Sequence, residues 1–152
     1  MRISIDMEYS KKDPDGRLSV QEIIKRSPST KLFGKDWKHV YAAIHHLLQG
    51  NEYRSFRTGD TLFLLKILQP SVGELFVFSA DKYQDLLKHF KELAQALIEA
   101  NYTQIMGVTD DTETIHAVRK MGFDHTIERV GKPVGKLKQQ YKLTVNLPSA
   151  NS

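Results

Sequence analysis

The chain has no cysteine among its 152 residues. That excludes disulfides, thiolate nucleophiles and cysteine-ligated metals, and leaves apolar packing to hold the fold together. No stretch approaches the ~18 consecutive apolar residues of a membrane helix. The amino terminus, Met1 to Tyr9, also lacks an apolar run of the signal-peptide kind, so the expectation is a cytoplasmic protein without membrane contact. The six histidines, His39, His45, His46, His89, His116 and His125, offer no i, i+4 pair of the sort a helical metal site uses. No metal is expected. Ser79 has no histidine placed to activate it, and Gly59 and Gly131 to Gly135 are turn glycines without a phosphate loop around them. Glycine is also missing over a long interior stretch, with none between Gly73 and Gly107.

What is present suffices for a core: 40% of residues are hydrophobic, with aromatics spread along the length. The organisation read from this is one domain over 1–147 and a disordered tail over 148–152. The net charge is +4, and the basic residues crowd the carboxy-terminal third, where Arg119, Lys120, Arg129, Lys132, Lys136, Lys138 and Lys142 face only Asp124 and Glu128. This segment could meet phosphates of a nucleic acid. A solvated lysine-rich hairpin is the simpler reading, because no aromatic residues interleave with the charges as in RNA-binding modules.

Periodicity divides the chain. Ile3, Ile5 and Met7 alternate with polar residues over Arg2 to Tyr9, as in a half-buried strand. Asp13-Pro14-Asp15-Gly16 makes a turn, and Ser19 with Glu22 forms a capping box for a short helix that stops before Pro28. From Asp36 to Gln49 the residues Trp37, Val40, Tyr41, Ile44, Leu47 and Leu48 form one helical stripe, with Gly50 at the place of a left-handed C-cap. Tyr53 to Thr58, Thr61 to Leu68 and Glu74 to Ser79 read as three antiparallel strands. Leu62 to Leu65 and Leu75 to Phe78 are apolar on both faces, so helices should cover both sides of the sheet there. Asp81 to Asn101 is a long helix, Thr103 to Val108 a strand, and Thr112 to Met121 a helix closed by Gly122. Phe123 to Val130 and Lys138 to Val145 are the arms of a final hairpin. The predicted architecture is α/β (α+β), with a mixed, mostly antiparallel sheet of about seven strands and about four helices on its faces.

This order of elements resembles that of the GNAT (GCN5-related N-acetyltransferase) superfamily. Ala100-Asn101-Tyr102-Thr103-Gln104-Ile105 is similar to the family's Gly-Tyr lead-in to its fifth strand, and Arg119-Lys120-Met121-Gly122-Phe123 to the Gly-Phe ending of the following helix. The resemblance implies an acyl-CoA cleft beside the strand at Glu74 to Ser79. Phe76, Val77, Phe78, Ser79, Lys82, Tyr83 and Gln84 would contact the cofactor, and Glu74, Asp110 or Asp111 would serve as a base through water. For Asp110 and Asp111, capping of the next helix is the preferred reading.

Two departures from the family pattern stand out. Its pyrophosphate loop places glycines at a helix N-terminus so that bare amides reach the phosphates. This chain has Asp81-Lys82-Tyr83-Gln84-Asp85-Leu86 there, and Asp81 with Gln84 looks like a capping pair that consumes the helix's own amides; Lys82 and Lys88 remain as possible compensating charge. The family's tyrosine, thought to protonate the departing thiolate, aligns with Val118, which has no proton to give.

GNAT-like domains without the pyrophosphate loop occur in small proteins of short-tailed bacteriophages, and this chain resembles them in length, in its Phe-Val-Phe-Ser-Ala-Asp junction and in its missing glycines. That implies a non-catalytic protein without a cofactor, located in the bacterial host cytoplasm or the virion, acting through protein contacts in assembly or host interaction. Phe33 and Trp37, near the acceptor mouth, and Lys132, Lys136 and Lys138 are then the contact residues. The alternatives are an acetyl-CoA-dependent N-acetyltransferase with a divergent phosphate loop and a nucleic-acid-binding module built on the basic hairpin.

Overall fold

A computed structural model describes residues 10–33, 36–131 and 139–150. The helices are α1 (Val20–Arg26), α2 (Trp37–Leu47), α3 (Tyr83–Glu99) and α4 (Thr112–Met121), with a 3-10 turn at Pro28–Phe33. The strands are β1 (Tyr53–Thr58), β2 (Thr61–Gln69), β3 (Val72–Ser79), β4 (Gln104–Thr109), β5 (Asp124–Val130) and β6 (Gln140–Asn146). The strand expected over residues 2–9 lies outside the described residues. So does the tip of the last hairpin, residues 132–138, with Lys132, Lys136 and Lys138.

Among the described residues the sheet has six strands in the order β1-β2-β3-β4-β6-β5. Every neighbouring pair is antiparallel except β3 with β4. That exception follows from chain length: α3 crosses over between the two strands, and such a crossover returns the chain parallel. The alternation of β2 decides which side each helix covers. Phe63 and Leu65 point to a cluster with Leu86, Phe90, Leu93 and Leu97 of α3. Leu62 and Leu64 point the other way, to Ile23 and Ile24 of α1 and Val40 and Ile44 of α2. On the same face as α3, beyond β4, Ile115 and Val118 of α4 pack on Leu143 and Val145 of β6. No helix among the described residues is long and apolar enough to cross a membrane.

Several local expectations need correction. The Ser19 hydroxyl caps α1 by accepting from the Glu22 N–H at 3.0 Å, but Gly50 is not a left-handed cap. Among the described residues the left-handed glycines are Gly16, Gly59, Gly122 and Gly131. Instead α2 unwinds through tight bonds, Gln49 N–H to His46 O and Gly50 N–H to Leu47 O, both 3.2 Å. A left-handed residue does end α3, and it is Asn101 with φ 67°. Asparagine tolerates this conformation next best after glycine. Leu75 to Val77 are only half-buried, in contrast to the fully buried run Thr61 to Leu65. The reason is that β3 loses its neighbour β4 partway along.

The register pairs Val72 with Gln104, Gly73 with Ile105 and Glu74 with Met106, and then stops. At the next position a Cβ on Gly107 would sit 2.9 Å from the Leu75 carbonyl oxygen, a backbone atom that cannot swing aside. Gly107→Ala should therefore force the strands apart and cost about 1–3 kcal/mol, which urea denaturation would measure; unchanged stability would mean that the contact at the split is not a constraint.

Candidate active site

The site is the gap that opens where β3 and β4 separate. It is apolar along its length, walled by Leu75 and Val77 of β3, Gly107 of β4, and Phe90, Leu93 and Ala94 of α3. Backbone direction within β3 follows from two bonds at its end: Ala80 N–H donates to Asp60 O across the hairpin at 2.9 Å, whereas Ser79 N–H donates to Ser27 Oγ at 3.0 Å. Amides in a strand alternate sides. Those of Phe76 and Phe78 therefore point toward β2, and that of Val77 points into the gap. Of the four strand residues expected to contact a cofactor, Val77 offers its N–H, Phe76 and Phe78 offer side chains, and the Ser79 N–H is already committed.

The N-terminus of α3, at Tyr83, follows the end of β3 by four residues. Its cap is Lys82, which makes no side-chain capping bond. The expected Asp81–Gln84 capping pair is thus overturned. Asp81 turns its carboxylate away, because stronger donors claim it: Oδ2 accepts from Thr61 Oγ1 at 2.6 Å and from Asp60 N–H at 3.1 Å, and His89 Nδ1 lies 2.9 Å away. Ser79 Oγ joins the network 2.7 Å from Thr61 Oγ1 and accepts from Asp81 N–H at 3.1 Å. Side chains of Asp81 and His89 are each 10% exposed. The imidazole also lies against the β1–β2 turn, where a Cβ on Gly59 would run into the His89 ring. This network was not legible in sequence, since its members span 30 residues of chain and no motif joins them.

The three carboxylates proposed as bases separate clearly. Asp111 caps α4, accepting from Glu113 N–H at 3.2 Å and from Thr114 Oγ1 at 2.8 Å. Asp110 follows the end of β4, four residues past Met106, or roughly 13 Å at the rise of a strand. Glu74 stands opposite Met106 in the last pair before the split. It is half-buried and shares a sheet face with Phe76 and Phe78. Only Glu74 is at the apex of the gap. Val118, 4% exposed, is packed inside and lines the gap.

Trp37, expected as a contact residue, packs with Tyr41 on the α1–α2 core, both partly buried. Phe33 does not bury itself. It is 43% exposed, stacked on Phe78 with ring centroids 5.8 Å apart and tilted on Phe76 at 6.2 Å. Lys82 and Lys88 are both exposed, but Lys88 lies with Lys91 and Gln95 along the outer face of α3, away from the gap.

No family model and no curated protein matches the sequence. Solved structures do. The chain is similar to the ribosomal-protein-S18-alanine N-acetyltransferase from Escherichia coli at TM-score 0.58 and 15% identity, over 89% of this chain and 94% of that one. It is also similar to spermidine N-acetyltransferase from Vibrio cholerae, solved in complex with CoA and spermine, at TM-score 0.59 and 10% identity, over 84% and 87%. The fold is the GNAT fold of these acetyltransferases.

The Asp81 network ties α3 to the hairpin ends, and Asp81→Ala would leave several buried donors without their acceptor. A loss of about 1–3 kcal/mol is expected, with Asp81→Asn losing less because one acceptor oxygen remains. Chemical denaturation of the two variants checks this, and equal stability of wild type and the alanine variant would show that the network contributes nothing.

Proposed function

We propose that the protein is an acetyl-CoA-dependent N-acyltransferase with a divergent phosphate site. One observation carries the reading: the central strands part at Glu74 and Met106 into an apolar gap, and β3, which walls it, is followed within four residues by a helix whose N-cap makes no side-chain capping bond among the described residues. The objection that α3 consumes its own amides falls with the position of Asp81. An unfilled N-terminus of a 17-residue helix supplies amides and positive potential to a pyrophosphate without any glycine. The absent Cβ at Gly107 keeps the apex clear.

Acetyl-CoA, when bound, supplies the activated acyl group. The Val77 N–H, facing the gap, would donate to a thioester carbonyl oxygen as it gains charge under attack by an amine. Glu74 would take the amine proton, directly or through a water. The apolar walls exclude bulk water and strengthen both interactions. On the α4 wall of the gap Val118 has no proton to give, and the Thr114 hydroxyl beside it donates to Asp111. With no proton donor on that wall to serve the leaving group, the turnover should be slow. The assembly role inferred from the absent glycines is less well supported, because its main physical argument was the capped helix.

Isothermal titration should show acetyl-CoA binding with a dissociation constant between about 1 μM and 1 mM. Lys82→Glu should weaken it roughly five- to tenfold, and Lys88→Glu should leave it unchanged. Glu74→Gln should keep the affinity while lowering acyl transfer by ~10²–10⁴-fold. Absence of any heat or thermal shift at millimolar acetyl-CoA would end the enzyme reading.

A further inference from the structure

On the acceptor side of β3 lies a second cavity of about 260 Å³, between α2 and the face of the sheet that carries Leu64, Phe76 and Phe78. Val40, Ile44 and Leu47 of α2 form its other wall. Phe33, Phe76 and Phe78 border both this cavity and the gap between β3 and β4, so a molecule seated in one reaches the other past their rings. A cavity of ~150 Å³ with similar lining accommodates benzene, and this one is larger. Among the described lining residues there is no carboxylate; the polar ones are His39 and Tyr53.

We infer that the acceptor is an amine carrying one bulky apolar group, an aromatic ring or a branched aliphatic chain, and that it is not a polyamine. The assignment rests on the acyl-transfer reading above and specifies its second substrate. A polycation entering this cavity would shed hydration with no counter-charge among the described lining residues to replace it. An apolar group gains by the same move. Phe33 supports this independently. A phenyl ring 43% exposed above two inward-facing rings is an aromatic surface already in place for an apolar guest. Glu74 lies on the same sheet face two residues before Phe76, about 7 Å along the strand. A ring held against Phe76 thus presents a short-tethered amine to the carboxylate and the split.

The experiment is an NMR and thermal-shift titration of the full chain with 2-phenylethylamine and with spermidine, on wild type and on Ala43→Trp. Ala43 lines this cavity from an exposed position on α2, so tryptophan there fills space without entering the core. 2-Phenylethylamine should saturably shift resonances of Val40, Ile44 and Phe76 and raise the melting temperature. Ala43→Trp should weaken it at least tenfold, and Ala43→Leu by less, with acetyl-CoA affinity unchanged in both. If 2-phenylethylamine fills the cavity but acetyl-CoA does not bind, the acyl-transfer reading fails while the cavity's ligand class stands. Tighter binding of spermidine, or wild-type affinity for 2-phenylethylamine in Ala43→Trp, overturns the inference.

Discussion

Two parallel strands at the centre of the sheet stay paired for three residues each and then separate. Parallel pairing would ordinarily continue, since each further residue satisfies backbone groups that are costly to leave buried and unpaired. Here the chains are pulled toward different neighbours. β3 remains paired with β2 as far as Ser79 opposite Thr61, and β4 follows β6 as far as Thr109 opposite Tyr141. The space between them is occupied on one side by α3 and bordered on the other by Phe33, Phe76 and Phe78. The cavity, the gap-facing Val77 amide and the half-burial of β3 all follow from this separation.

The polar network around Asp81 is the second element on which the site depends. An aspartate just before a helix normally turns its carboxylate back onto the first amides. At Asp81 the Thr61 hydroxyl, the Asp60 amide and the His89 ring compete for the same oxygen and win. Three partners in a nearly water-free pocket outweigh one or two solvent-exposed capping bonds. The consequence lies two residues away, where α3 begins with its N–H groups unclaimed by side chains. A residue that looked hostile to an anion thus holds in place a helix end suited to one.

Under the acyl-transfer reading proposed above, Glu74, the gap-facing Val77 amide and the apolar walls form the framework, and the buried Val118 offers no acid. Such a site relies on positioning and exclusion of water more than on proton transfer from a side chain. The cavity beside α2 shows the same bias, being apolar with aromatic edges.

The sequence by itself determined the elements, because their signals are local. The 3.6-residue stripe from Trp37 to Leu48, the Ser19 and Asp111 caps, the Gly122 stop and the turn at Gly59-Asp60 each depend on residues within one or two turns of chain. The buried face of α3 and the two-sided apolar run at Leu62 to Leu65 were legible for the same reason. The errors were also local in origin: Gly50 was placed in a left-handed cap that tight 3-10-type bonds made unnecessary, and Asp81 was given to the nearest amides. What only the tertiary structure decided was the competition between near and distant partners. Asp81 chose Thr61 and His89, β3 chose β2 over β4 beyond Glu74, and Phe33 from an irregular segment settled on Phe76 and Phe78. Those outcomes depend on groups far apart in the chain that folding brings within hydrogen-bonding or van der Waals reach, and no pattern of neighbouring residues encodes which of them prevails.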